Sequence, residues 1–297
     1  MMRDRRPRSG GLDWARSPWQ LLFLPAAVVI MFWPIITGQR YFFEDIVQQF
    51  YPSLSFLAYS LRSFRIPLWS PYVFCGIPYI NDIQSQTFYP PNWLFTLFLG
   101  SDGRLSFLAL ELAIISHVLL AGYFMYLLGR ELGLTLRPAL FAGFCFMLSG
   151  FMILRTIHLG VIYTYIWFPL IFLLFRRSLH TGRLLPVLLA GLVFAVAACG
   201  GYPQTLLHMS YALGLYALFF IIRHWRQDPR VLLRSVAYLA VMVMVGLGVA
   251  AAQYLPSLNY VKYTVRASLS YHDLVDASLR PIQLLTLLAP KFFGSVT

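Results

Sequence analysis

Apolar runs long enough to cross a lipid bilayer recur along this chain, and no other feature limits its fold so tightly. They cover residues 19–37, 105–128, 138–154, 160–175, 184–199, 206–222 and 235–252. A membrane-spanning helix needs about 17–25 apolar residues, so several runs sit near the short limit and call for local thinning of the bilayer. The expectation is an all-α integral membrane protein with about seven transmembrane helices. Composition agrees: 59% of the residues are hydrophobic and only 11% are charged, where a soluble domain carries about a quarter charged residues.

The net charge of +12 raises the question of nucleic acid. Its placement answers it. Arg3, Arg5, Arg6, Arg8 and Arg16 precede the first run; Arg130 and Arg137 flank one short connection; Arg176, Arg177 and Arg183 flank a second; Arg223, Arg226, Arg230 and Arg234 surround a third. These four short segments hold fourteen of the 23 basic residues, and the remainder are spread over the longer alternate loops. That is the positive-inside distribution, so the basic segments and the N-terminus are expected in the cytoplasm and no nucleic-acid partner is called for. Residues 1–18 then form a cytoplasmic basic tail. The first run is read as an uncleaved signal anchor, because Thr37-Gly38-Gln39-Arg40 offers no small-x-small cleavage site. Cys145 and Cys199 lie in apolar runs and are expected in the core; nothing in the spacing supports a bridge from Cys75 to Cys199.

The first external loop, residues 38–104, is far too long for a simple connector. Val47, Phe50, Leu54, Leu57, Leu61 and Phe64 recur at helical spacing, which predicts an interfacial amphipathic helix over 45–64 with a kink at Pro52. A turn-rich stretch follows with Pro67, Pro71, Gly76 and Pro78, then the polar run Asn81 to Gln86, the pair Pro90-Pro91, and Trp93 returning to the interface. Tyr163, Tyr165 and Trp167 read as an aromatic belt near the outer end of the fourth span. Ala139/Gly143 and Gly246/Ala250 read as close helix-packing pairs.

Polar residues gather on the external side. Asp45, Gln48 and Gln49 fall at i, i+3 and i+4, so a single helix face offers a carboxylate and two amides to a polyol; the alternative is a carboxylate solvated at the membrane edge. Arg155 and His158, in the tight turn after the third span, suit a phosphate, or equally a lipid headgroup for the arginine. Asn81 and Gln84 lie in the loop's polar run. Gln204 opens the sixth span after Gly200-Gly201-Tyr202-Pro203, with His208 one turn below it and both facing an external vestibule. Glu111 and His117 lie inside the second span on different faces, which favours hydrogen bonding between helices over a functional role, though they are the residues that lean toward a transporter. No phosphate-cradling glycine loop, nucleophile elbow or metal-ligand spacing occurs, so no metal site is assigned, and the need for a divalent cation stays open.

The motifs Glu44-Asp45-Ile46-Val47-Gln48-Gln49-Phe50-Tyr51-Pro52, Ile66-Pro67-Leu68-Trp69-Ser70-Pro71-Tyr72, Phe74-Cys75-Gly76-Ile77-Pro78 and Gln84-Ser85-Gln86 with Phe88-Tyr89-Pro90-Pro91-Asn92 resemble the first external loop of bacterial YfhO-like membrane proteins. Ala251-Ala252-Gln253-Tyr254-Leu255-Pro256 and Pro290-Lys291-Phe292-Phe293-Gly294 are also similar. Gly201-Tyr202-Pro203-Gln204 carries tyrosine where the family has histidine, and Asn259 stands in place of a glutamate.

The resemblance implies a GT-C type glycosyltransferase in the bacterial cytoplasmic (inner) membrane. Such an enzyme moves a sugar from a polyprenyl-phosphate carrier to an envelope polymer or protein acceptor on the external face. It implies Asp45 as the catalytic carboxylate with Glu44 as a neighbour able to share the role; the polar residues gathered on the same side, Gln48, Gln49, Asn81, Gln84, Arg155, His158 and Gln204, are then the candidates for substrate binding. It further implies a longer parent protein. Residues 19–297 would then be the N-terminal part of a polytopic domain, 253–297 an external segment leading to further spans, and the chain incomplete as an enzyme on its own. A transporter or flippase for a lipid-linked sugar or solute, and a non-catalytic membrane scaffold, are the competing expectations.

Overall fold

The computed structural model describes residues 18–276, 278–289 and 292–294. The five N-terminal arginines and Lys291 fall outside them. Helices carry most of the described residues, which include no named strand; two isolated bridges, Ser70 with Ile77 and Leu99 with Leu105, pinch loops together.

The first span runs over Trp19–Ile36 and ends in α1 (Phe23–Ile36). Its stop is chemical. Gly38 adopts a left-handed φ of 72°, and Gly38 and Gln39 return their N–H groups to the carbonyls of Ile35 and Pro34 at 2.9 and 2.8 Å. This pairs carbonyls that the helix end would leave orphaned. After α2 (Tyr51–Arg62) and the single turn α3 (Pro90–Trp93) come the longer helices. α4 (Phe107–Glu131) is unbroken. The next span divides into α5 (Leu136–Met147) and α6 (Gly150–Leu154), where the Ser149 hydroxyl caps the new helix by accepting from Met152 N–H. The following one divides into α7 (Leu159–Tyr165) and α8 (Phe168–Thr181), with Pro169 in the first turn of α8, where its missing N–H costs nothing. α9 (Leu184–Cys199), α10 (Pro203–His224) and α11 (Val231–Val261) complete the bundle.

Six of these spans are long and apolar enough to cross a membrane, and the fold is that of an all-helical, multi-pass membrane protein. The expected seventh, Leu184–Cys199, has 16 residues, about 24 Å of helix against a hydrocarbon thickness of about 30 Å. Both of its ends are tied to other helices. At its start Gly182 accepts from Tyr238, and at its end Gly200 packs on Tyr163 and Thr164. Conversely, α11 is longer than the run expected over 235–252, 31 residues or about 46 Å, and carries Gln253, Pro256 and Asn259 within the helix. Proline removes a single backbone donor, and a helix this long bears that loss.

Small residues set the close contacts. A Cβ on Gly143 would stand 2.5 Å from the Gly122 carbonyl oxygen, so α4 and α5 touch backbone to backbone there. Gly246 meets Phe194 and Gly191 in the same way across α11 and α9. Large apolar side chains such as Ile30, Leu215, Leu233 and Met244 face outward, as lipid-facing positions do. Cys145 is exposed on that outer face, contrary to the core position its apolar run suggests, while Cys199 is buried; all three cysteines are free.

The two ends differ. At one, the helix connections carry Arg130, Arg137, Arg176, Arg177, Arg183, Arg223, Arg226, Arg230 and Arg234, and Glu131 at the end of α4 takes ion pairs from Arg176 and Arg177 of α8. At the other, residues 38–104 fold back over the helix ends as a cap.

The aromatic belt expected at Tyr163, Tyr165 and Trp167 is not one. Tyr163 is wholly buried and stacks between His117 and Tyr89, with ring centroids 4.1 and 4.7 Å away. Trp167 turns inward and donates to the Tyr89 hydroxyl at 3.1 Å. α7 and α8 form the most enclosed of the spans, so their rings serve the core and not the lipid boundary.

Candidate functional site

The cap is held by buried polar anchors. Phe42 N–H donates to the Glu111 carboxylate at 3.1 Å, Gln86 Nε2 to the Gly200 carbonyl at 2.8 Å, and Gln253 Nε2 to the carbonyls of Ile80 and Asp82 at 3.2 and 3.3 Å. Each joins the loop to a different helix. Glu111 and His117 thus bond to the cap, where bonds between helices were expected.

Between the first two anchors the chain makes an uncommon turn. Glu44 is left-handed with φ 53°, and Ile46–Phe50 form a π-helical turn before α2 begins. Such turns are frequent at functional sites. Pro52, in the first turn of α2, lacks the N–H that would continue the ladder backward. Thus the amphipathic helix predicted over 45–64 is present, but its first turn is widened, and it lies in the cap with Leu54, Leu57 and Ala58 buried. The widened turn separates the polar side chains that α-helical spacing would have set on a single face. Asp45 faces His158, and Gln49 faces Gln84.

Asp45 Oδ2 lies 4.0 Å from His158 Nε2, both side chains partly open to solvent. His158 Nδ1 is buried and without a hydrogen-bond partner. The His158 backbone N–H closes a turn onto the Arg155 carbonyl at 2.9 Å, so Arg155 stands at the same mouth; its exposed side chain makes no ion pair among the described residues. Glu44 is exposed beside Asp45. A carboxylate and an imidazole therefore meet from the ends of the first and third spans, with Arg155 three residues before His158 in the same turn.

Gln49 Nε2 donates to Gln84 Oε1 at 2.6 Å, and both residues line a recess of about 410 Å³ with Gln48, Tyr72, Tyr79 and Asp82. In the sequence Asp82 is one of five polar residues in the six-residue run 81–86, and residue type alone does not set it apart. Its carboxylate accepts the Gln84 N–H at 2.9 Å, the signature of an Asx turn, and Asp-x-Gln after a proline-rich stretch is the signal that could have marked it. Burial pushes its pKa above the ordinary carboxylate value, only partly offset by that hydrogen bond. Burial likewise raises the Tyr79 hydroxyl, whose oxygen is tied to Ser53.

The remaining expected residues are not gathered here. Asn81 lies in the turn Tyr79–Asn81 and outside the recess lining. Gln204 is exposed at the start of α10, where it accepts weakly from Tyr202 at 3.4 Å. His208, expected to share its vestibule, instead borders a separate hollow with Phe151, Tyr165 and Phe168. Among the described residues no group of three or more His, Cys, Asp or Glu is placed to hold a metal ion.

Fold and site together define a multi-pass helical membrane protein with an acid–imidazole pair and a polar recess under a structured cap. No protein-family model, curated protein or solved structure matches the chain.

Proposed function

We propose that this protein is a membrane glycosyltransferase of the YfhO-like, GT-C kind, taking a sugar from a polyprenyl-phosphate carrier and passing it to an envelope acceptor outside a bacterial cytoplasmic membrane. The observation that carries the reading is the meeting of Asp45 and His158 at 4.0 Å, with Arg155 at the same turn. In this reading seven helices cross, the N-terminus and the arginine-bearing connections lie inside, and the cap lies outside.

Transfer needs a base for the acceptor hydroxyl and positive charge for the departing phosphate. The Asp45 carboxylate takes the hydroxyl proton as the acceptor oxygen bonds to the sugar's anomeric carbon. The bond from that carbon to the phosphate oxygen breaks with its electron pair, leaving polyprenyl phosphate. Arg155, and His158 when protonated, meet the charge that develops there. Glu44 is the second carboxylate at the mouth. Gln49 lies one turn beyond Asp45, positioned to hold a sugar hydroxyl through whichever amide hydrogen Gln84 leaves free. The hydrogen bonds that engage Glu111 and His117 weigh against a transport path through the bundle.

The test is direct: membranes carrying the protein should move labelled sugar from a polyprenyl-phosphate donor to an envelope fraction, and membranes lacking it should not. Failure to transfer any of a panel of such donors would overturn the reading.

A further inference from the structure

We infer that the recess beside the acid–imidazole pair is a binding site for a neutral saccharide, and that it holds the acceptor and not the phosphate-bearing donor. The inference rests on the transferase reading for the word acceptor; the saccharide site itself stands on the recess alone.

Three observations support it. The first is charge. No arginine, lysine or histidine lines the recess, while Asp82 does, so a phosphate would enter against a carboxylate with no cation to offset it. The available cations, Arg155 and His158, are outside its lining. The second is the array of hydrogen-bonding groups. Gln48, Gln49 and Gln84 offer amides that both donate and accept, and Asp82 accepts, which matches the mixed demands of sugar hydroxyls. The Gln49–Gln84 bond of 2.6 Å fixes two of those amides before any ligand arrives. The third is shape and apolar content. The volume of about 410 Å³ lies within the roughly 300–1,000 Å³ of small-ligand sites. Phe56, Tyr72 and Tyr79 form a connected aromatic wall, with Phe56 edge-on to Tyr72 at 5.5 Å and to Tyr79 at 5.2 Å, suited to the apolar faces of a sugar ring.

Position completes the case. The recess and the Asp45–His158 pair share the π-helical turn: Asp45 directly precedes it, and Gln48 and Gln49, which line the recess, lie within it. A saccharide seated on Gln49 therefore has the catalytic carboxylate one turn away. The hairpin pinched by Ser70 and Ile77 forms the outer wall. Its tip holds Phe74 and Cys75 at left-handed φ values of 49° and 62°, a conformation non-glycine residues seldom take without a packing reason.

The experiment uses the whole chain in lipid nanodiscs and saturation-transfer NMR with three probes: cellobiose, N,N′-diacetylchitobiose and glucose 1-phosphate. At least one neutral disaccharide should bind, and glucose 1-phosphate at equal concentration should not displace it. Asp82→Ala should weaken that binding at least about tenfold, as loss of a charge-assisted contact does. Tyr72→Ala, at an exposed position that the fold does not need, should remove the signal from the ring face. Absence of disaccharide binding by the folded wild-type protein would overturn the inference. So would binding indifferent to both substitutions, or displacement by the phosphosugar. Asp82-dependent binding in a protein that transfers nothing would instead leave the recess standing and remove the transferase reading. Asp45-dependent transfer without such binding would do the opposite.

Discussion

The Tyr89 hydroxyl donates to His117 Nε2 at 2.8 Å, joining the cap to the middle of α4. The direction follows from the other ring nitrogen. His117 Nδ1 lies 2.6 Å from the Ala113 carbonyl, which can only accept, so Nδ1 carries the proton and Nε2 is the acceptor. Trp167 Nε1 in turn donates to the Tyr89 oxygen. Tyr89→Phe keeps the ring stack but strands a buried donor and a buried acceptor, each costing about 1–3 kcal/mol. Thermal unfolding should drop by several degrees. His117→Leu added to Tyr89→Phe should cost less than the two single changes summed, because both break a single contact. Full additivity would separate the two residues energetically.

Asp82 makes stability depend on pH in a direction opposite to that of most paired carboxylates. Burial raises its pKa, so the folded state holds the proton more tightly than the unfolded chain. The fold therefore bears no penalty from this group below the ordinary carboxylate pKa of about 3.9, and the penalty grows as pH rises through the raised value. Asp82→Asn should raise the melting temperature at pH 7, with the gain shrinking toward zero as pH falls below about 4. A lower melting temperature at pH 7 would show that the charged form is wanted by the fold. A residue that costs stability where it stands is what a binding site, more than a core, retains.

The spans were legible because lipid imposes a simple rule on composition: every expected run is mostly helical in the structure, although the third and fourth are each divided into two helices. What periodicity could not give was which face of each helix is shared. Tyr163 has the composition of a belt residue, yet it is stacked on His117 because α7 and α8 lie in the middle of the bundle. The site was half legible. Asp45 and His158 are far apart in sequence, and only their common height at the helix ends suggested that they meet. Asp82 and Gln253 were hidden because their roles depend on loop and helix backbones that no local pattern reveals.

Topology gives a separate check. Single cysteines near Gln84 should react with an impermeant reagent added from outside. Those near Arg177 and Arg226 should react only after the membrane is opened. Because α9 is short, the decisive pair flanks it. Labels at positions 183 and 202 should report opposite sides if those 16 residues cross, and the same side if they do not.

The central claim is that Asp45 is the base of a sugar transfer and Arg155 a phosphate ligand. Asp45→Asn preserves shape and hydrogen bonding but removes basicity. With a labelled polyprenyl-phosphate sugar, it should lower the transfer rate at least about a hundredfold while leaving donor affinity nearly unchanged. Arg155→Ala should instead weaken donor binding about ten- to a hundredfold, as expected for a charge-assisted contact of roughly 1.5–3 kcal/mol. Transfer by Asp45→Asn at a rate close to the wild type would contradict the account and move the base elsewhere, to Glu44 first.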